Sequence, residues 1–213
     1  MPPLDAGLVT VLTAAALSAP PGAVETVGPA HASGVIVHSA PGGRALVRLR
    51  ARTPYGGRLR LWVRERRDGW IKVPAEDGPR GVGWVSEREV RPTGYRRFRI
   101  EIDRSAKRLS VVGAGSRWST KVVIGGEATP TPLGTFQVTD RIDGARFSGV
   151  YGARVLVLSA YGDDTRTSRV AIHGVPPAAK SKAFSAGCVR VPRAALLRLF
   201  RAAPPGTPVH VTQ

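Results

Sequence analysis

The chain has 213 residues, 42% hydrophobic and 22% charged, and its 32 Lys and Arg against 15 Asp and Glu give a net charge of +17. That length holds one ordinary domain or two small ones, each with a real core. A single cysteine excludes an internal disulfide and a Cys-rich zinc module, and no apolar run reaches the ~20 residues of a membrane-spanning helix.

Residues 1–33 read as a leader. The small apolar run from Leu8 to Leu17, followed by Ser18-Ala19-Pro20-Pro21-Gly22, matches the hydrophobic and cleavage regions of an export signal, although Asp5 stands where positive charge is expected. Residues 34–92 carry short β-type runs at Val35–Val37, Ala45–Leu49, Leu59–Val63, Trp70–Val73 and Gly83–Val85. They are separated by Gly42-Gly43, Gly56-Gly57, Asp68-Gly69 and Asp77-Gly78-Pro79. Strands at that spacing with such turns predict a small all-β barrel, with Trp70 and Trp84 filling a core too small for aliphatic residues alone. After a short junction at 93–96, β patterning resumes around Phe98, Ile100 and Ile102. It continues at Leu109–Val112, Trp118–Ile124, Phe136–Val138, Val155–Leu158, Val170–Ile172 and Thr207–Val211. One helix is predicted at Arg193–Arg201, started by Pro192, stopped by Pro204-Pro205-Gly206, with Leu196, Leu197 and Phe200 on its apolar face.

The positive charge is mostly arginine, spread along the chain. It alternates with apolar residues, as in Arg58-Leu59-Arg60-Leu61-Trp62-Val63-Arg64, which is the pattern of a solvated strand face. With 6% aromatic residues and no nucleic-acid-binding motif, the surface suits a polyanion such as a bacterial wall polymer better than a specific nucleic acid.

Of the four histidines, His31, His38 and His210 read as structural or exposed, and no pair has metal-ligand spacing. His173 and Cys188 stand apart. His173 ends a β run and is followed by Gly174; Cys188 sits in Ser185-Ala186-Gly187-Cys188-Val189-Arg190. A glycine before a cysteine permits a tight turn with bare amide N–H groups, which acyl transfer needs for its oxyanion. A histidine within reach across the 174–184 loop could take the thiol proton and hold the thiolate as an ion pair, and Arg190 would favour that thiolate.

These residues resemble the signature of the L,D-transpeptidase (YkuD-type) catalytic domain. The likeness runs through His173-Gly174 and Ser185-x-Gly187-Cys188-Val189-Arg190. It includes Gly125 with Thr129-Pro130-Thr131-Pro132-Leu133-Gly134-Thr135-Phe136, and Val150-Tyr151-Gly152-Ala153-Arg154, and it covers about 97–212. Residues 34–92 resemble bacterial SH3-like modules. The expected architecture is therefore mainly β, an SH3-like barrel followed by a YkuD-type β-sandwich or barrel with one or two short helices. The resemblance implies Cys188 as nucleophile, His173 as base, amides around Gly187 and Cys188 as oxyanion donors, and Ser185 as support for the turn or for the region of the histidine. Arg190 would brace the site or meet a substrate carboxylate, and Tyr151 would line the donor groove. Asp163 and Asp164, a backbone carbonyl or a hydroxyl would orient His173. Ala186 departs from the histidine that many members carry there. The implied activity is peptidoglycan remodelling by 3→3 cross-linking through a thioester on tetrapeptide stems. It would work without metal or organic cofactor, in an exported monomer that carbapenem-type β-lactams acylate. An L,D-carboxypeptidase using water and a non-catalytic wall-binding protein are the rival expectations.

Overall fold

A computed structural model describes residues 19–75, 81–113, 115–144, 151–161, 169–175 and 185–213. The Leu8–Leu17 run, the Asp77-Gly78-Pro79 turn, Asp163, Asp164 and most of the 174–184 loop lie outside the described residues.

The first module contains β1 (Val24–Pro29), β2 (Val35–His38), β3 (Ala45–Leu49), β4 (Leu61–Trp62), β5 (Glu65–Arg67), β6 (Trp70–Pro74), β7 (Val82–Ser86) and β8 (Val90–Arg96). They form a three-stranded sheet, β4-β1-β8, and a five-stranded sheet, β3-β2-β7-β6-β5. Alternating apolar residues of both sheets meet in one core: Val35, Val37, Ile71, Val73 and Val85 from the larger, Val27 and Leu61 from the smaller. Trp84 is buried beneath the Arg67 and Lys72 cations, while Trp70 is half-buried, edge-on to His38.

Two features depart from the sequence reading. The module begins at Val24, inside the segment read as leader, because β1 is the central strand of its sheet and Val27 is in the core. The supposed junction at 93–96 is the end of β8, which pairs with β1 along its whole length across a bulge at Thr26/Val27.

The second module contains β9 (Arg99–Asp103), β10 (Arg108–Gly113), β11 (Ser116–Lys121), β12 (Gly134–Asp143), β13 (Arg154–Tyr161), β14 (Arg169–His173), β15 (Val189–Arg190), α1 (Arg193–Ala202) and β16 (Pro208–Thr212). The strands make one curled eight-stranded sheet in the order β11-β10-β9-β16-β12-β13-β14-β15. Its pairs are antiparallel except β9–β16 and β14–β15. Ile100, Ile102, Leu156, Leu158, Ile172 and Val189 point into the main core, where α1 packs. The deepest residues of α1 are Leu196 and Leu199; Leu197 and Phe200 are half-buried, so the apolar face is turned slightly from that read in the sequence.

Buried polar contacts join the modules. The Gln137 side chain on β12 accepts from Trp62 N–H at 3.1 Å and donates to the Arg60 carbonyl at 2.7 Å. Thr53 Oγ1 donates to Asp140 at 2.6 Å, and Arg96 donates twice to the Pro205 carbonyl. Trp62 meets His210 edge-on.

Candidate active site

Side chains alternate along a strand, so Val170 and Ile172 of β14 enter the main core while Ala171 and His173 face the opposite side of the sheet. β15 runs parallel to β14, with Ile172 beside Val189 and His173 beside Arg190. Val189 is in the main core. Its neighbours Cys188 and Arg190 therefore emerge on the face that carries His173. Cys188 packs there against a small cluster of Ile142, Val155, Val157 and Ala171, together with Tyr151. The Tyr151 ring meets His173 edge-on at 5.0 Å. The thiol and the imidazole, fifteen residues apart in the chain, thus come from adjacent strands and share one wall.

The turn ahead of Cys188 is held from both sides. On the side away from β14, Val123 and Arg190 exchange two backbone hydrogen bonds, and Ser185 N–H donates to the Ile124 carbonyl. Ser185 Oγ donates to the Cys188 carbonyl, closing the turn locally. Gly187 has φ of +89°, a conformation that side chains resist. Thr131, fully buried, donates to the Gly187 carbonyl at 2.9 Å and accepts from Gly125 N–H at 3.0 Å. A Cβ at Gly125 would lie 2.1 Å from the Thr129 carbonyl. The Gly125 and Thr129–Phe136 motif therefore locks the cysteine turn in place. The motif in the sequence assigns Thr131 no role, since nothing local in the chain shows that its hydroxyl is buried.

His173 Nδ1 lies 2.7 Å from the Gly174 carbonyl. A carbonyl can only accept, so Nδ1 carries the proton and Nε2 is left as the basic nitrogen. A backbone carbonyl is thus the orienting group. Gly174 N–H in turn donates to the Tyr151 carbonyl, tying the end of β14 to Tyr151.

Burial works against the expected ion pair. Burial is the largest influence on both groups. It lowers His173 to about 4, partly opposed by the Gly174 hydrogen bond and helped by the Arg190 charge. It raises Cys188 above the ordinary thiol value, partly opposed by a hydrogen bond from the Ala171 backbone and by Arg190. Burial thus opposes the charged form of each group. Arg190 is close enough to influence both, and its Nη1 is buried with no hydrogen-bond partner among the described residues. Ala186 is exposed.

The family model for the L,D-transpeptidase catalytic domain (YkuD) matches residues 97–211. No curated protein matches the chain. Among solved structures, Bd1075 of Bdellovibrio bacteriovorus is similar over 55% of this chain and 48% of its own, at 22% identity and a TM-score of 0.45. The chain thus spans about half the length of that structure. An L,D-transpeptidase from Mycobacterium tuberculosis is similar over 62% of this chain and 72% of its own, at 17% identity and a TM-score of 0.47. The LD transpeptidase LdtMt1 in complex with imipenem is similar over 87% and 81%, at 16% identity and a TM-score of 0.45.

Proposed function

The chain belongs to the L,D-transpeptidase catalytic-domain family, matched over more than half its length, and from that membership we propose that it is a cysteine L,D-transpeptidase acting on peptidoglycan. The observation that carries this reading is the shared wall of Cys188 and His173, with Nδ1 fixed on Gly174 so that Nε2 remains the acceptor.

In the proposed reaction, Cys188 sulfur attacks the carbonyl of the third residue of a tetrapeptide stem as its proton passes to His173 Nε2. The new oxyanion is held by the amides of Gly187 and Cys188. The C–N bond to the terminal D-alanine then breaks, His173 returns the proton to the departing amine, and a thioester remains. The side-chain amine of a second stem attacks the thioester and loses its proton to His173. The thiolate leaves and recovers that proton, giving a 3→3 cross-link. Burial lowers His173 and raises Cys188, so the proton is transferred as the sulfur attacks, and the imidazole is unprotonated at neutral pH to receive it. The unpartnered Arg190 Nη1 offers a cation to a substrate carboxylate, and Tyr151 walls the imidazole.

The remaining features fit an envelope protein. The two-sheet first module is read as SH3-like, the leader as an export signal, and the +17 charge as affinity for anionic wall polymers. LdtMt1 has been solved with imipenem, and L,D-transpeptidase 3 of M. tuberculosis with a faropenem-derived adduct. This chain should be acylated in the same manner. Intact mass after incubation with imipenem tests it. The reading expects one adduct, absent in Cys188→Ala; an unmodified wild-type protein whose thiol also resists alkylating reagents would overturn it.

A further inference from the structure

A cavity of about 1050 Å³ lies where the two modules meet. Cys188 and His173 do not line it. Its walls include Arg48, Arg50, Arg52 and Tyr55 from the first module and Asp140 and Arg169 from the second. Four arginines and one carboxylate line it, so its charge balance favours an anion.

The first module's share of this wall is built, not incidental. Residues 53–57 close a tight turn, with Thr53 N–H donating to the Gly57 carbonyl and Gly56 N–H to the Thr53 carbonyl. Thr53 Oγ1 accepts from Gly57 N–H and donates to Asp140 Oδ1 on β12. The fit leaves no room for a side chain at Gly57, whose Cβ would lie 2.3 Å from Asp140 Oδ1. On the opposite wall, Arg169 is fixed by donating to the Ser159 carbonyl and the Tyr161 hydroxyl. Asp140 itself is 4% exposed, and its Oδ2 has no hydrogen-bond partner among the described residues. Tyr55, at the tip of the turn, is 39% exposed. Arg169, two residues before Ala171 on β14, lies on the face of the sheet that carries Cys188, so this wall of the cavity continues the wall of the thiol.

We propose that this cavity seats the peptide strand leading to Cys188, with the first module supplying one of its walls. An extended peptide bearing free carboxylates lies against Arg48, Arg50, Arg52 and Arg169, offers an N–H toward Asp140, and passes Tyr55 on its way to the thiol. The assignment deepens the transpeptidase reading and rests on it. The first module is then part of the enzyme's selectivity as well as a wall anchor.

The test uses the full chain and two probes: a tetrapeptide stem with its non-terminal carboxylates free, and the same stem with them amidated. D-alanine release is followed with excess stem as acceptor. Arg50→Glu/Arg52→Glu should raise KM for the acidic stem about tenfold, the effect of losing two weak attractions and gaining two repulsions. The amidated stem should respond about twofold or less. Arg44→Glu/Arg88→Glu, an equal charge change outside the cavity, gives the background for both. Tyr55→Ala should raise KM more than it lowers kcat, and Tyr55→Phe should recover most of that loss, since the ring is what lines the path. Equal losses on both stems, or no difference from the Arg44/Arg88 background, would overturn the cavity assignment. Imipenem acylation of the wild type separates the two readings. If the adduct forms but the stem selectivity is absent, the cavity assignment falls alone; if neither adduct nor D-alanine appears, both fall.

Discussion

Replacing Thr131 by valine keeps the shape of the side chain and removes its hydroxyl. In the folded protein that hydroxyl serves two buried backbone groups, the Gly187 carbonyl at 2.9 Å and the Gly125 N–H at 3.0 Å. Each group left without a partner costs about 1–3 kcal/mol, so Thr131→Val should lose about 3 kcal/mol in total. For a chain of this size each kcal/mol lowers Tm by about 2–4 °C, giving a fall of about 10 °C. Thermal melts by circular dichroism read this directly, and Thr131→Ser, which keeps the hydroxyl, should stay within a few degrees of the wild type. The same lesion frees the turn that aims Cys188, so the imipenem acylation rate should fall in Thr131→Val even well below its Tm. A Thr131→Val protein that melts with the wild type, or a Thr131→Ser protein that melts as low as valine, would refute the claim that this hydroxyl locks the turn.

Two further outcomes follow from the buried pair. Iodoacetamide alkylates the thiolate, so its rate at Cys188 should climb with an apparent pKa above that of a free cysteine; a plateau reached below pH 7 would show a thiolate–imidazolium pair instead. His173 titrates near 4 when folded and near 6.5 when unfolded. The unfolded chain therefore binds the proton first as pH falls. Stability should decline between about pH 6.5 and 4, by about 3 kcal/mol for this group, and urea melts of His173→Gln should show a flatter profile across that window.

Much of the fold is legible in the sequence where short apolar, β-branched runs stand between glycine turns. Val35–Val37, Ala45–Leu49 and Trp70–Val73 fall inside observed strands for that reason. β8 was not legible, because Pro92 and Gly94 interrupt it and such residues argue against a strand. β1 was hidden by its place just after a Pro-Pro-Gly turn and an apolar leader-like run, with only six residues to show its pattern. The pair Cys188 and His173 could be picked out because glycines flank both in turn-forming contexts. Their charge state could not, since burial decides it and burial is a property of the packed sheet. The same holds for Thr131 and for the meeting of Thr53 with Asp140, 87 residues apart: contacts across such separations leave no local periodicity to read.

Gln137 has a consequence for how copies of the chain behave toward one another. β4 is the outer strand of its sheet, and an uncovered outer strand is a template on which a neighbouring molecule can lay its own backbone. The Gln137 amide takes up the Trp62 N–H and the carbonyl of Arg60 just before β4, as a peptide unit of one more strand would. A single side chain borrowed from the other module thus closes off the rim along which self-assembly could begin, and cutting the modules apart would expose it.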